Sequence, residues 1–330
     1  MNIEKILKEN LELDFDKEIE KISVRIRELL RKDIKRRGLV VAISGGIDSS
    51  VSSALSVEAV GKNKVFGLLL PEKDSSSNSE DRGAMLAKHL GIEYIKHDIA
   101  DTLEKIGCYQ YRDEAIKNLF PDYRDDWKNK IAISGGTEGK LNHFNLIVQS
   151  PSGEVFTERL PLTEYLQIVA ATNYKQRIRK TIEYFHADRL NYAVIGTPNR
   201  VEYDQGFFVK NGDGSADIKP IAHLYKTQIY ALAKHMGLPD EICSAKPTTD
   251  TYSLDQGQDE FYYGLPYEQM DYALCAYNHQ VPSSELAIYL GIDTEHANWV
   301  YQDIESKRKT TAFLHAKPYL IEDVEEIKGI

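Results

Sequence analysis

Residues 39–44 read Leu-Val-Val-Ala-Ile-Ser, of strand length and apolar at every position before Ser44, and the six residues from Ser44 onward read Ser-Gly-Gly-Ile-Asp-Ser. A run that is apolar at every position, rather than at every second one, suits a strand buried on both faces. Such strands belong to parallel sheets covered by helices on both sides. The chain repeats this alternation. Residues 19–37 set Ile19, Ile22, Ile26, Leu29 and Leu30 at helical spacing against a basic face, and Gly38 ends the helix. A helix over about 49–60 stops at Gly61, residues 65–70 form the next buried strand, and residues 94–98 a third. Between those two strands, Ser77 with Glu80 has the pattern of a capping box opening a helix that closes at Gly91. Residues 192–196 are another buried strand, and Ile229, Leu232, Ala233 and Met236 form a helical stripe that stops at Gly237-Leu238-Pro239. The fold class expected is α/β with a doubly wound parallel sheet. Ligands in such sheets bind beyond the carboxyl ends of the strands.

Residues 101–172 break the rhythm. Asn145-Leu-Ile-Val-Gln149, the turn Ser-Pro-Ser-Gly and Glu154-Val-Phe-Thr-Glu-Arg-Leu160 read as a β-hairpin over 145–160, after a charged and aromatic stretch. The expectation is one domain over 1–330 with an insertion at 101–172. The string Ala-Ile-Ser-Gly-Gly occurs at 42–46 and again at 132–136. The second copy has no buried strand before it and reads as a plain loop.

Composition narrows the function. Asp+Glu 51 outnumber Lys+Arg 41, for a formal net charge of -10, which argues against a broad nucleic-acid surface because phosphate backbones need a basic footprint. Cys108, Cys243 and Cys275 are far apart and form no Cys-x-x-Cys, so neither a disulfide framework nor a structural zinc site follows, and a reducing, cytoplasmic setting is the simple reading. The first twenty residues lack the apolar core of a secretory signal, and no run of about 18 apolar residues marks a membrane span.

The turn after residue 43 carries the chemistry. Gly45 and Gly46 let the backbone bend sharply and approach a ligand, so that successive N–H groups and the following helix N-terminus converge on one point suited to phosphate. Ser44 and Ser49 add hydroxyls. Asp48 is out of place in a simple anion loop, but it makes sense as a ligand of Mg²⁺, a hard cation that prefers oxygen and phosphate. The structural alternative is a Gly-Gly turn with Asp48 at a favourable helix start. No Walker Gly-Lys-Ser/Thr follows, and no dinucleotide Gly-x-Gly-x-x-Gly is present.

This turn resembles the pyrophosphatase loop (PP-loop) of ATP-using enzymes that form adenylates. Together with Gly196-Thr-Pro-Asn-Arg-Val-Glu202, the stretch 207–220, Lys226, Lys246-Pro-Thr-Thr-Asp250 and 258–271, it resembles the ammonia-dependent NAD synthase family, over roughly 20–100 and 173–311. The resemblance implies a Rossmann-like fold of the adenine nucleotide alpha hydrolase type. It implies a ligase that adenylates the nicotinate carboxylate of deamido-NAD with ATP and lets ammonia displace AMP. It implies that Ser44, Gly45, Gly46, Ile47, Asp48, Ser49, Thr197, Lys226 and Thr248 bind ATP, that Asp48 and Glu202 share Mg²⁺, and that Asp48 and Lys226 are catalytic. Arg177, Lys210, Asp217 and Lys307 would contact deamido-NAD, with Arg179 either joining them or pairing with carboxylates. Glu202 has the alternative of a helix-start carboxylate and Lys226 that of an exposed lysine, while Phe207 offers an aromatic face for a heterocycle or else packs in the core. His223 reads as structural. The resemblance also implies a homodimer. The sequence shows no glutaminase segment, which leaves free ammonia or a separate glutaminase as the nitrogen source.

The chain departs from the family pattern in places. The basic tail at 306–311 has Ser306 and Thr311 where the family has His and Pro, and no Arg precedes Pro71. These changes, with the insertion, keep open a PP-loop ligase acting on another carboxylate, such as a sugar acid. A non-catalytic nucleotide sensor is disfavoured because Asp48, Glu202 and Lys226 are all present. A tRNA-thiolating enzyme is disfavoured by the acidic charge.

Overall fold

The computed structural model describes residues 2–134, 143–245, 247, 252–254, 257, 262, 265–322 and 324. The chain runs α1 (Ile3–Leu11), α2 (Phe15–Glu28), a π turn (Leu29–Asp33), β1 (Leu39–Ala42), α3 (Ile47–Val60), β2 (Val65–Leu69), α4 (Ser77–Leu90), β3 (Glu93–Lys96), α5 (Ala100–Lys105) and α6 (Cys108–Leu119). Then come β4 (Lys128–Ser134), β5 (His143–Gln149), β6 (Val155–Arg159), α7 (Leu162–Leu190), β7 (Ala193–Ile195), α8 (Arg200–Gln205), α9 (Lys226–His235), α10 (Asp240–Cys243), α11 (Tyr267–Asn278), α12 (Ser283–Leu290) and α13 (Thr294–His315).

The expected parallel sheet is present, with strand order β3-β2-β1-β7. Val40 lies opposite Phe66 of β2 and Val194 of β7, all in parallel register. Successive residues of β1, β2 and β7 face opposite sides of the sheet, and both sides are covered. Leu39, Val41 and Ile195 face the core built with α2, α3 and α9, whereas Val40, Phe66, Leu68 and Val194 face the one built with α5, α6 and α7. This two-sided burial is why residues 39–43 are apolar without interruption. The chain leaves β1 toward β2 and β3, then returns through α7 to β7 on the other side of β1. The gap between the carboxyl ends of β1 and β7 is therefore a topological switch point, the place where such sheets bind ligands.

Three local expectations change. The helix read over 19–37 is α2 followed by a π turn, and Lys35 adopts a left-handed φ of 55°, which ends the helical path before Gly38. The helix α4 has Ser76 at its cap with no side-chain hydrogen bond, and Glu80 pairs instead with Lys96 of β3 at 2.6 Å. The helix that carries Arg177 and Arg179 begins at Leu162, inside the stretch 101–172 read as an insertion. Its first half packs on one core and its second half on another, so no single apolar face marks it in the sequence.

The hairpin over 145–160 forms as expected, with Asn145 opposite Arg159 and Gln149 opposite Val155. A third strand, β4, pairs with β5 and sets Ile131 opposite Leu146. Residues 132–134 of the second Ala-Ile-Ser-Gly-Gly thus end an antiparallel strand rather than a loop, and the rest of that copy lies outside the described residues. This small sheet encloses its own apolar core with α6 and the start of α7. A further core joins α1, α11, α12 and α13.

A buried ionic network ties the loop after β2 to α6 and α7. Lys175 Nζ lies 3.0 Å from Glu72 Oε1 and 2.6 Å from Asp74 Oδ2, Arg112 reaches Asp74 and Asp113 at 2.7 Å each, and the Tyr109 hydroxyl donates to Glu72 Oε2 at 2.8 Å. Burial alone would raise the Asp74 carboxyl, but Lys175 and Arg112 outweigh it and hold the group below its ordinary value of 3.8. A carboxyl depressed in the folded state contributes stability that is present above its unfolded value and lost as pH falls through its folded value. Lys175→Met, which strands buried carboxylates, is expected to cost about 3–5 kcal/mol at neutral pH. The deficit should shrink below about pH 4, where the carboxyls take up protons. Urea unfolding of both proteins across pH measures it, and a deficit that did not change with pH would refute the ion-pair account.

Candidate active site

The turn between β1 and α3 is held from inside. The Ser44 N–H donates to Ser49 Oγ at 3.2 Å, the two hydroxyl oxygens are 3.0 Å apart, and Ser49 Oγ donates to the Gly46 carbonyl at 3.0 Å. The hydroxyls of Ser44 and Ser49 thus brace the turn rather than standing free beside it. Gly45 has φ +78°, and a Cβ there would lie 2.1 Å from the Ser79 carbonyl oxygen. Both its handedness and the close passage of α4 therefore call for glycine. Gly46 supplies no side-chain cap to α3, so the first N–H groups of that helix remain available to an anion.

Asp48, in the first turn of α3, meets residues from across the switch point. Asn199 Nδ2 donates to Asp48 Oδ1 at 3.2 Å. Asn199 also caps α8, accepting from the Glu202 N–H at 3.0 Å while Glu202 Oε2 accepts from the Asn199 N–H at 3.1 Å. Through Oε2, Glu202 acts as a helix-start carboxylate. Its other oxygen, Oε1, is 3.9 Å from Lys226 Nζ. Lys226 donates to Asp48 Oδ2 and is buried, not exposed. Burial would lower the Lys226 ammonium pKa, but the charges of Asp48 and Glu202 prevail and raise it, so the group stays charged at neutral pH. A carboxylate pair explains why a lysine can open α9, a position where the helix dipole disfavours a cation.

These groups line one cleft of about 700 Å³ that runs from the turn to α7 and to the end of α13. Ser44, Gly46, Ile47, Asp48, Ser49, Thr197, Glu202 and Lys226 border it on the sheet side, and Arg177, Arg179, Phe207 and Lys210 border it further on. Arg177 Nε donates to the Lys210 carbonyl at 3.3 Å, and Arg179 Nε to the Leu70 carbonyl at 3.1 Å. Lys210 Nζ donates to the carbonyls of Phe313 and Ala316 at 2.7 and 3.3 Å, which fastens the end of α13 over the cleft.

Other expected residues sit elsewhere. Gly45, Asp217 and Lys307 are not among the lining residues. Asp217 accepts from the Val194 N–H at 2.7 Å and from the Tyr184 hydroxyl at 3.3 Å, bracing β7 against α7. Lys307 donates to the Tyr262 carbonyl at 2.6 Å and to Asp303 at 2.5 Å, with its ammonium 4.4 Å from the Tyr262 ring centre. Thr248 lies outside the described residues. Phe207 borders the cleft and packs on Tyr262 with ring centres 4.8 Å apart. His223 pairs with Glu18 of α2 at 2.6 Å.

Several site residues escaped the sequence reading. Arg82 of α4 donates to the Gly45 carbonyl at 3.1 Å and to Ser79 Oγ at 3.1 Å, pinning the turn from outside, and no local pattern announces it. Asn199 does have a signal, because Asn-x-x-Glu before a helix is a capping-box pattern. Glu183 and Asp213 also line the cleft. Burial raises both carboxyls, against Lys180, 2.7 Å from Glu183, and against the Val209 N–H, 2.7 Å from Asp213.

A parallel switch-point sheet with a glycine turn, and with Asp48, Glu202 and the buried Lys226 gathered beside it, has the layout that the resemblance to PP-loop α/β proteins implies. The family profile described as NAD synthase matches residues 18–129 and 144–313, and the chain belongs to that family. The match includes most of 101–172, so the unmatched stretch is 130–143. The NH(3)-dependent NAD(+) synthetase of Rhizobium meliloti (strain 1021) is 51% identical over 321 residues, covering 97% of this chain and 96% of that protein. The protein of the same name from Mesorhizobium japonicum is 51% identical over 317 residues, covering 96% and 99%. Among solved structures, the NH3-dependent NAD synthetase of Campylobacter jejuni superposes with a TM-score of 0.60 at 22% identity, covering 94% of this chain and all of that one. The NMN synthetase of Francisella tularensis does so at 0.62 and 19%, covering 95% of this chain and 100% of that one. These last two show the fold. Among the described residues no helix is long and apolar enough to cross a membrane.

Gly45→Ala is expected to force the turn and α4 apart. Nucleotide affinity should fall at least about tenfold, because a backbone cradle shifted by even 1 Å loses its alignment. Calorimetric titration with a non-hydrolysable ATP analogue measures it, and wild-type affinity would show that the turn does not contact nucleotide.

Proposed function

We propose that the protein is an ammonia-dependent NAD synthase that adenylates the nicotinate carboxylate of deamido-NAD with ATP and transfers ammonia to it, releasing AMP and pyrophosphate. The observation that carries this reading is the convergence of Asp48, Glu202 and Lys226 at the switch point, beside the open N-terminus of α3 and in one cleft with Arg177 and Lys210. The name carried by relatives at 51% identity over nearly their whole length supports it and does not favour another acceptor acid.

A carboxylate is a poor electrophile, and an adenylate gives it a good leaving group. The N–H groups at the start of α3 receive the ATP phosphates, and Lys226 meets the charge that grows on them as the α-phosphate is attacked. Arg177 and Lys210, across the cleft, bind the acid and orient its carboxylate for in-line attack. Asp217 and Lys307 act from behind the cleft wall, through β7 and Tyr262. Asp48 and Glu202 both approach Lys226, so two carboxylates meet at one point, and Mg²⁺ is commonly held by one or two carboxylates plus substrate phosphates. Asp48 and Glu202 would hold it, and when bound it supplies charge stabilisation to the pyrophosphate leaving group. The homodimer stays part of this proposal, with exposed Leu162 and Leu166 at the start of α7 as apolar surface for it.

Purified protein with ATP, Mg²⁺, ammonia and deamido-NAD is expected to form NAD, AMP and pyrophosphate in equal amounts. Pyrophosphate release with another acid only would overturn the choice of substrate. Asp48→Ala should slow pyrophosphate release by about 10²–10³-fold, on the scale of losing a group aimed at developing charge. A variant retaining full rate would remove Asp48 from the mechanism. Arg177→Ala should raise KM for deamido-NAD far more than KM for ATP, and equal rises would contradict this division of the cleft.

A further inference from the structure

Lys226 is the first residue of α9, so its position depends on whether the first turn of that helix is held. The opening N–H groups of a helix have no partners within it and fray unless something else accepts from them. Here the acceptor comes from a distant part of the chain. Asp271, on α11, takes the Lys226 N–H on Oδ1 at 3.3 Å and the Thr227 N–H on Oδ2 at 2.7 Å. Its side chain is fully buried. A negative charge at that point also favours the positive end of the helix dipole, where the Lys226 cation is disfavoured. Gln228 completes the clamp, accepting from the Tyr225 N–H at 2.9 Å and donating to the carbonyls of Asn10 and Leu11 at 3.1 and 3.2 Å.

The clamp joins two cores. The apolar residues of α9 pack with the parallel sheet, whereas those of α11 pack with α1, α12 and α13. Burial pushes the Asp271 carboxyl up to about 6, against the Thr227 and Lys226 N–H groups that lower it. An apolar residue in its place would avoid that burial cost but would leave two helix-start donors without an acceptor.

We propose that Asp271 is a positioning residue of the active site: by binding the start of α9 it fixes the place from which Lys226 meets Asp48, Glu202 and the substrate phosphates. The inference rests on the role given to Lys226 in the proposed reaction. It makes the C-terminal helical layer a working part of the ATP site, although that layer lies in a different core.

The test compares Asp271→Asn, Asp271→Glu, Lys226→Ala and the double variant Lys226→Ala/Asp271→Asn with the wild type. Thermal unfolding first establishes that each is folded. Asp271→Asn keeps the shape and removes the charge, and it should lower kcat for pyrophosphate release at least about tenfold, the lower end of what is lost when a partner behind a binding group is removed. KM for deamido-NAD should stay unchanged. Asp271→Glu, which keeps the charge, should recover part of the rate. The double variant should be no slower than Lys226→Ala, because a residue acting only through Lys226 has nothing left to position. A folded Asp271→Asn protein with wild-type kcat would overturn the proposal. So would a double variant that loses the product of the two single effects. Calorimetry with a non-hydrolysable ATP analogue separates this inference from the choice of acid. The wild type making no NAD would refute the reaction, whereas the clamp stands or falls on whether Asp271→Asn weakens analogue binding in the wild-type background and not in the Lys226→Ala background.

Discussion

A buried ammonium between two carboxylates is stable only as a set, because any one of the charges left alone in the protein interior would be costly. Lys226, Asp48 and Glu202 form such a set, and each comes from a different part of the chain. Asp48 follows β1, Glu202 follows β7, and Lys226 opens a helix that packs on the face of the same sheet. The set therefore exists only after β1 and β7 have paired, which ties the chemistry of the site to the closure of the sheet.

Around that point the molecule is built in layers that each contribute one wall. The parallel sheet supplies the turn and the carboxylates. The long helix α7 supplies Arg177 and Arg179, and its start rests on the small antiparallel sheet. The end of α13 reaches back over the cleft through Lys210, with Gly206 allowing it close: a Cβ at Gly206 would lie 2.3 Å from Thr311. At Thr311, where the family pattern has proline, the hydroxyl donates to the Lys307 carbonyl at 2.7 Å within an unbroken helix. The altered tail is thus a packed helix end.

Much of this could be read beforehand. The buried strands and their helices were visible because two-sided burial and amphipathic spacing are local properties of sequence. The hairpin over 145–160 was visible from its turn and its alternation. The first half of α7 was not, since its neighbours change along its length and blur any single face. β4 was not recognised because its partner β5 arrives later in the chain. At the site, the residues of the glycine turn announced themselves by type and spacing. Arg82 and Asp271 did not, because each acts through backbone groups whose position depends on tertiary packing.

The amino-acid order alone determined the sheet class, the glycine turn at the carboxyl end of β1, and the inventory of charged residues from which the cleft is made, since these follow from short-range patterns of burial, handedness and charge. Only the tertiary structure decided how those charges are shared. It placed Lys226 between Asp48 and Glu202, turned Asp217 inward to hold β7, and handed the start of α9 to a carboxylate from another core. Pairing in a low-dielectric interior depends on distances of a few ångströms, and those are set by packing between distant segments.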